Sequence, residues 1–238
     1  YHKEVDRQME KTNREIQNER KIRYFVEAAW KIEDTEGVEA VTARKVADLA
    51  GYNVATLYNY FDNLDHLIAF ASLRHLGKYA KALPEYTKDI TNPLTLYMRT
   101  WVCFSYHAFQ EPAVYKNLFF GKFVSSYNDS LKMFYEIFPD QLPEDGLRFY
   151  PMLQERELHK RDYVLLMESA KCGYIPEDKV MDISNMNVLI WRGILDRLSE
   201  PGIEYSVDEM TKTITSYHAH TLISFGVPRE ELEEFLVN

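Results

Sequence analysis

Twenty residues, Thr42 to Phe61 (TARKVADLAGYNVATLYNYF), constrain the fold more than any other stretch of the chain. They read as two short helices on either side of Gly51. Thr42 follows the break at Gly37 and caps the first helix, because its side-chain oxygen can accept a hydrogen bond from one of the unpaired N-terminal amides. Val46, Leu49 and Ala50 mark an apolar face, and Ala47 is small where a second helix must cross closely. Gly51 can take the left-handed conformation that stops the first helix. Asn53 caps the second. Leu57 and Phe61, four apart, fall on its buried side, which turns Ala55, Thr56, Tyr58, Asn59 and Tyr60 outward. A short helix whose outer face carries hydroxyls, an amide and a small residue suits the edge of a duplex groove. The pattern is that of a helix-turn-helix with its second helix over Asn53 to Phe61.

A third helix supports this pair. Ile22, Phe25, Val26, Ala29 and Ile32 form a helical stripe that ends at Glu36 and Gly37. Upstream, Lys3 to Arg23 is almost wholly charged and polar, and reads either as a solvated helical extension or as a frayed tail. Arg14, Arg20, Lys21 and Arg23 are placed to reach a phosphate backbone or simply to solubilise. Residues 1–62 carry ten Lys and Arg against twelve Asp and Glu, within a chain of net charge −9. Only charges near phosphates count toward nucleic-acid affinity, so this balance predicts weak non-specific binding and a modest salt dependence.

The remaining chain reads as helical throughout. With 9 Gly and 9 Pro in 238 residues, long stretches have no breaker. Asp62 and Asn63 cap a connecting helix through Leu67, Ile68, Ala71 and Leu76. Pro93 to Gln110 is apolar or aromatic on nearly every side and so reads as central. Glu111 and Pro112 interrupt, and Ala113 to Phe138 gives one or two further helices. Pro139 to Gly146 reads as a loop, Phe149 to Cys172 as one helix stopped by Gly173 to Pro176. Ile183, Met186, Ile190 and Ile194 mark the next helix, and Val207, Met210, Ile214, Tyr217 and Thr221 the last long one. These two C-terminal stripes fit either packing within the chain or a four-helix contact with a second copy.

Catalytic chemistry is not legible: there is no glycine-rich phosphate loop, no GxSxG and no HExxH. His218 and His220 point apart on a helix, and Cys103 with His107 is half a zinc site at most. Glu155 and Glu157, within QERELHKRD, read as part of an exposed face of alternating sign. No cofactor or metal is expected. Two cysteines, Cys103 and Cys172, argue against a disulfide scaffold and for a reducing, cytoplasmic setting. No uncharged apolar run approaches the roughly 20 residues of a membrane helix, so no membrane partner is expected. The 13 Phe, 17 Tyr and 3 Trp are the more informative feature. Tyr97, Trp101, Phe104, Phe120, Phe123, Tyr127 and Tyr163 could line a cavity in which rings supply affinity and hydroxyls orientation.

The run ATLYNYF, preceded by ADLAGYN and followed by an amphipathic helix, resembles the signature of the TetR/AcrR family of bacterial transcription regulators. The resemblance covers about the first 70 residues. It implies an all-α chain with an N-terminal three-helix DNA-binding domain, here residues 1–66 with the charged extension, and a larger helical ligand-binding and dimerisation domain, residues 67–238. It implies a homodimer that binds double-stranded DNA and is released from a palindromic operator by a small molecule. Thr42, Arg44, Tyr58 and Tyr60 would then hold phosphates, and Ala55, Thr56 and Asn59 would approach base edges from a helix capped by Asn53. Asp62 and Leu64 stand where the family commonly has phosphate-touching lysines, and Val54 where a lysine or polar residue is frequent. These departures motivate the alternative of a regulator-like small-molecule-binding module with weak or lost DNA binding. An enzyme using the aromatic cavity is a further alternative, disfavoured by the lack of a convergent acid, base or nucleophile set.

Overall fold

The computed structural model describes residues 12–122, 127–142, 147–155 and 157–237. Every regular element among them is helical, and the chain divides into two compact units. The first runs to Ala71 and takes in Met133–Pro139; the second comprises Ser72–Lys132 and Asp140 onward.

In the first unit, α1 (Asn13–Glu36) begins in a capping box: the Glu15 amide donates to the Thr12 hydroxyl while the Thr12 amide donates to the Glu15 carboxylate. The charged stretch from Asn13 to Arg23 is therefore helix, continuous with the buried stripe of Ile22, Phe25, Val26, Ala29 and Ile32. Gly37, at φ 88°, closes it. α2 (Ala43–Ala50) is capped by Thr42 and stopped by Gly51 in the left-handed conformation. Its inner face is Val46 and Ala47, whereas Leu49, expected inside, is 46% exposed. The helix has only two turns, so its contact with α1 is narrow enough for two inward side chains to fill.

α3 (Val54–Leu57) is a single α-turn, shorter than the span expected to Phe61. Beyond Leu57 the bonds tighten, with the Asn59 amide reaching back to Thr56 and the Tyr60 amide to Leu57. Leu57 and Phe61 are nevertheless both buried, which is what the four-residue spacing requires. α4 (Leu64–Ala71) follows, its first turn held by the Asn63 side chain accepting from the His66 amide.

The connecting helix is broken at Ser72 into α4 and α5 (Leu73–Tyr86). The cause lies 41 residues upstream: the indole Nε1 of Trp30 donates to the Ala71 carbonyl at 2.7 Å. That oxygen would otherwise accept from His75, whose amide turns to Ser72 instead. Trp30 also lies 4.7 Å from the ring of Phe138, and Phe134 packs on Phe70. The end of α8 (Tyr127–Ile137) thus completes the first unit's core, something the sequence pattern did not reveal.

The second unit is built around α6 (Pro93–Gln110), which α5, α10 and α12 contact. Asn92 caps it by accepting from Leu94 and Thr95, with Pro93 at a position that needs no amide hydrogen. α7 (Pro112–Phe120) follows the break at Glu111. The stretch expected as one helix from Phe149 to Cys172 is two, α9 (Tyr150–Gln154) and α10 (Leu158–Lys171), separated by extended backbone at Glu155 and Glu157. The buried guanidinium of Arg161 makes the break tolerable by donating to the carbonyls of Leu153 and Glu155. The loop residues Pro143 to Gly146 lie outside the described residues.

α11 (Val180–Leu198) buries Ile183, Asn187, Val188, Trp191 and Leu195, whereas Met186 points out. The inward stripe is shifted from the expected one because Asn187 and Trp191 find polar and ring partners inside. α12 (Val207–Ser224) starts at the Ser206 cap and buries Ile214 and Thr221, with Tyr217 outside. A 3-10 segment, Arg229–Phe235, packs on α12 and anchors Phe235 under the Arg99 guanidinium.

Candidate nucleic-acid interface and body cavity

In the first unit the two caps that form the turn also shape its outer face. Asn53 accepts from both the amide and the hydroxyl of Thr56, at 2.8 and 3.0 Å, so the Thr56 hydroxyl is oriented by the cap. Ala55, Tyr58 and Asn59 are exposed beside it. Tyr60 is half-buried: its hydroxyl donates to Asn18 of α1, and Lys21 lies 6.0 Å from its ring. On α2, Thr42 is exposed and Arg44 is almost fully so, 3.9 Å from Asp48; Lys45 pairs with Glu36 at 2.7 Å. Asp62, at the turn into α4, donates its amide to His66 Nδ1 and carries its carboxylate 3.5 Å from the same ring atom. An acid there serves the turn rather than a phosphate.

In the second unit a cavity of about 20 Å³, room for one or two waters, lies between α5, α6, α9 and α10. Its walls include the rings of Tyr79, Trp101 and Phe104 and the side chains of Met152, Arg161 and Asp162. Asp162 is buried and accepts from Trp101 Nε1 at 2.6 Å through Oδ1, while Oδ2 has no hydrogen-bond partner. Burial pushes its carboxyl up to about 6, partly offset by the nearby hydroxyls of Tyr97 and Ser184 and by the Trp101 indole. Arg161, equally buried, uses Nε and Nη2 on backbone carbonyls and leaves Nη1 unpaired. Its guanidinium lies 5.3 Å from the Phe119 ring.

The polar groups extend as a chain behind the cavity. Asn187 donates to the Tyr97 hydroxyl at 2.8 Å, and its own backbone carbonyl faces His218 Nε2 at 3.1 Å. That contact requires the proton on Nε2, leaving Nδ1 an unpaired acceptor. Burial pushes His218 down to about 3, so the ring is neutral, edge-on to Trp101 at 4.4 Å. Among the described residues no group of three or more His, Cys, Asp or Glu is placed to hold a metal ion, and no helix is long and apolar enough to cross a membrane.

A sequence model of the bacterial regulatory proteins of the tetR family matches residues 25–69, a span from the middle of α1 into α4. The HTH-type transcriptional regulator PksA of Bacillus subtilis (strain 168) is 34% identical over 58 residues, 24% of this chain. Residues 25–69 carry a helix-turn-helix of the TetR-family type. The matched part spans only 28% of PksA. RolR, solved in complex with the ligand resorcinol, superposes over 94% of this chain and 98% of its own at a TM-score of 0.51. At 15% identity that likeness speaks for the fold alone: the chain has the helical architecture of RolR.

Of the seven side chains expected at a cavity, Trp101 and Phe104 line one, and Tyr97 joins its polar rear. Phe120 instead lies under Arg192 at 4.4 Å and Tyr163 is half-buried away from the lining. Phe123, and the side chain of Tyr127, lie outside the described residues. Tyr79, Arg161 and Asp162 were missed. A signal for Asp162 existed: it is four residues from Leu158 and four from Leu166, on the buried side of α10. The alternating charges of QERELHKRD masked that period and suggested an exposed face.

Proposed function

We propose that this chain is a dimeric, ligand-responsive DNA-binding transcription regulator whose first unit reads an operator and whose second holds a small effector. The observation that carries the reading is the face formed by the exposed Ala55, Tyr58 and Asn59 and the half-buried Thr56, which the Asn53 cap holds, within the family-matched span. Thr42, Arg44 and Tyr58 hold phosphates and set register, while Ala55, Thr56 and Asn59 approach base edges; Tyr60, expected among the phosphate contacts, gives its hydroxyl hydrogen to Asn18 and braces the turn against α1 instead. The outer face of α11 and α12 supports a contact between two copies. Leu189 is 66% exposed and Tyr217 49%, Met186 is exposed beside them, and Gly193 has open space where a side chain would be. Two heads so joined meet half-sites about one helical turn, roughly 34–36 Å, apart or at multiples of it. RolR, which shares this fold, takes resorcinol as a ligand; the ring-lined cavity here supports a small effector as well. Binding that costs the DNA complex about 1–3 kcal/mol is enough to release it. The chain acts in the cytoplasm and carries out no catalysis.

Selecting bound duplexes from a random pool at low and near-physiological salt tests this reading. A palindrome is expected, lost in the Tyr58→Ala, Asn59→Ala double variant. A second reading, a small-molecule-binding module without useful DNA affinity, is favoured by one observation: Arg44 and Lys45 beside α3 each face a carboxylate. Recovery of no sequence above background would establish it instead.

A further inference from the structure

Two residues that line the cavity each keep one buried polar atom without a hydrogen bond of normal geometry, and the two atoms are of opposite kind; the hydroxyls of Tyr97 and Ser184 lie near the Asp162 carboxylate. Asp162 Oδ2 is an acceptor and Arg161 Nη1 a donor; both residues are at least 97% buried and both line the same cavity. Leaving such atoms unpaired costs each about 1–3 kcal/mol, so a molecule that satisfies them gains what the empty protein loses. The chemistry required of that molecule is narrow. An ammonium would satisfy Asp162 and place a cation against Arg161. A carboxylate would satisfy Arg161 and place an anion against Asp162. A single hydroxyl donates its hydrogen to the one and accepts from the other, and adds no net charge to a site whose own charges already balance. The walls beside the pair are the rings of Tyr79, Trp101 and Phe104, which favour a flat, apolar remainder.

We infer that the effector cavity is built for an uncharged aromatic molecule bearing a hydroxyl, whose oxygen bridges Arg161 and Asp162. This rests on the reading of that cavity as the effector site. The ring enters by displacing the wall at Met152, an unbranched side chain that repacks readily, and at the half-buried Leu165.

Calorimetric titration of the full chain, without DNA, decides the class. Phenol and benzyl alcohol are the neutral hydroxyl probes, benzoate and benzylamine the charged ones, and toluene tests the rings alone. The expected result is binding of phenol or benzyl alcohol at least about tenfold tighter than the other three, weakened about 10- to 100-fold in Asp162→Asn. Far-UV circular dichroism and the melting temperature establish whether that variant is folded. If it is not, the rank order on the unaltered protein still decides. Tighter binding of benzoate or benzylamine overturns the hydroxyl assignment while leaving the cavity an effector site. Equal binding of toluene, or undiminished phenol binding by folded Asp162→Asn, overturns the role of the polar pair. Binding of none of the five overturns the inference, and an operator recovered by duplex selection would in that case show that the regulator reading survives it.

Discussion

Asp162 and His218 belong to one buried region, and burial moves them in opposite directions, the acid up to about 6 and the imidazole down to about 3. Their effects on stability therefore oppose each other. The His218 contribution is present near neutrality and is lost as pH falls below about 6.5, because the unfolded chain takes up a proton that the folded chain refuses. Asp162 does the reverse: as pH rises from about 4 to about 6 the unfolded carboxyl ionises first, and the folded state is progressively penalised. The other charged or titratable groups facing this pair are Arg161 from α10 and Tyr97 from α6. In Asp162→Asn only the histidine effect remains, so between pH 6 and 4 the variant should lose stability more steeply than the natural protein, by up to about 1.4 kcal/mol per pH unit. Urea denaturation at pH 6, 5 and 4 measures this, and parallel curves would refute it. Asn53 gives a second test. Asn53→Ala should cost about 1 kcal/mol in thermal unfolding of the first unit and also release the Thr56 hydroxyl, so sequence preference should weaken as well. That cap was legible because capping is local: Asn53 and its partner are three residues apart. The burial of Asp162 was not, because its partner Trp101 is 61 residues away.

Among the elements, the same division between local and distant causes holds. The bounds of α6 could be read, from Pro93 to the break at Glu111, since they are set by residues at its ends. The end of α4 could not, because the indole that interrupts it belongs to α1. Trp30→Phe removes that donor while keeping a ring in the core. The Ala71 carbonyl should then recover the His75 amide and make α4 and α5 continuous, at a net cost of about 1 kcal/mol for the lost bond. Amide hydrogen exchange at His75 reads this directly: protection should rise in the variant, and unchanged exchange would mean that another cause breaks the helix. α9 and α10 are separated by a comparable device, with Arg161 drawing the carbonyls of Leu153 and Glu155 to itself. In both places a side chain competes for backbone oxygens, Trp30 from 41 residues away and Arg161 from the first turn of α10 itself, and a helical period alone contains no trace of the competition.

For the molecule as a whole, assembly and affinity come together. If the outer stripe of α11 joins two copies, Leu189→Glu should give a monomer by sedimentation velocity and abolish operator binding while leaving the melting temperature of the separate chain nearly unchanged, since Leu189 is mostly exposed. A monomer that still bound a palindrome tightly would contradict it. The near balance of charge in residues 1–62 sets the accompanying expectation of a shallow dependence of binding on salt. The segment Met133–Pro139 has a consequence for anyone dissecting the protein. Its rings Phe134 and Phe138 fill the space over Trp30 and Phe70, and Arg23 closes over Phe138. A fragment cut at residue 71 would contain the complete helix-turn-helix and yet present bare aromatic surface to solvent. It should self-associate or melt low, and tethering the α8 segment to its C-terminus by a flexible linker should restore a soluble, folded reader.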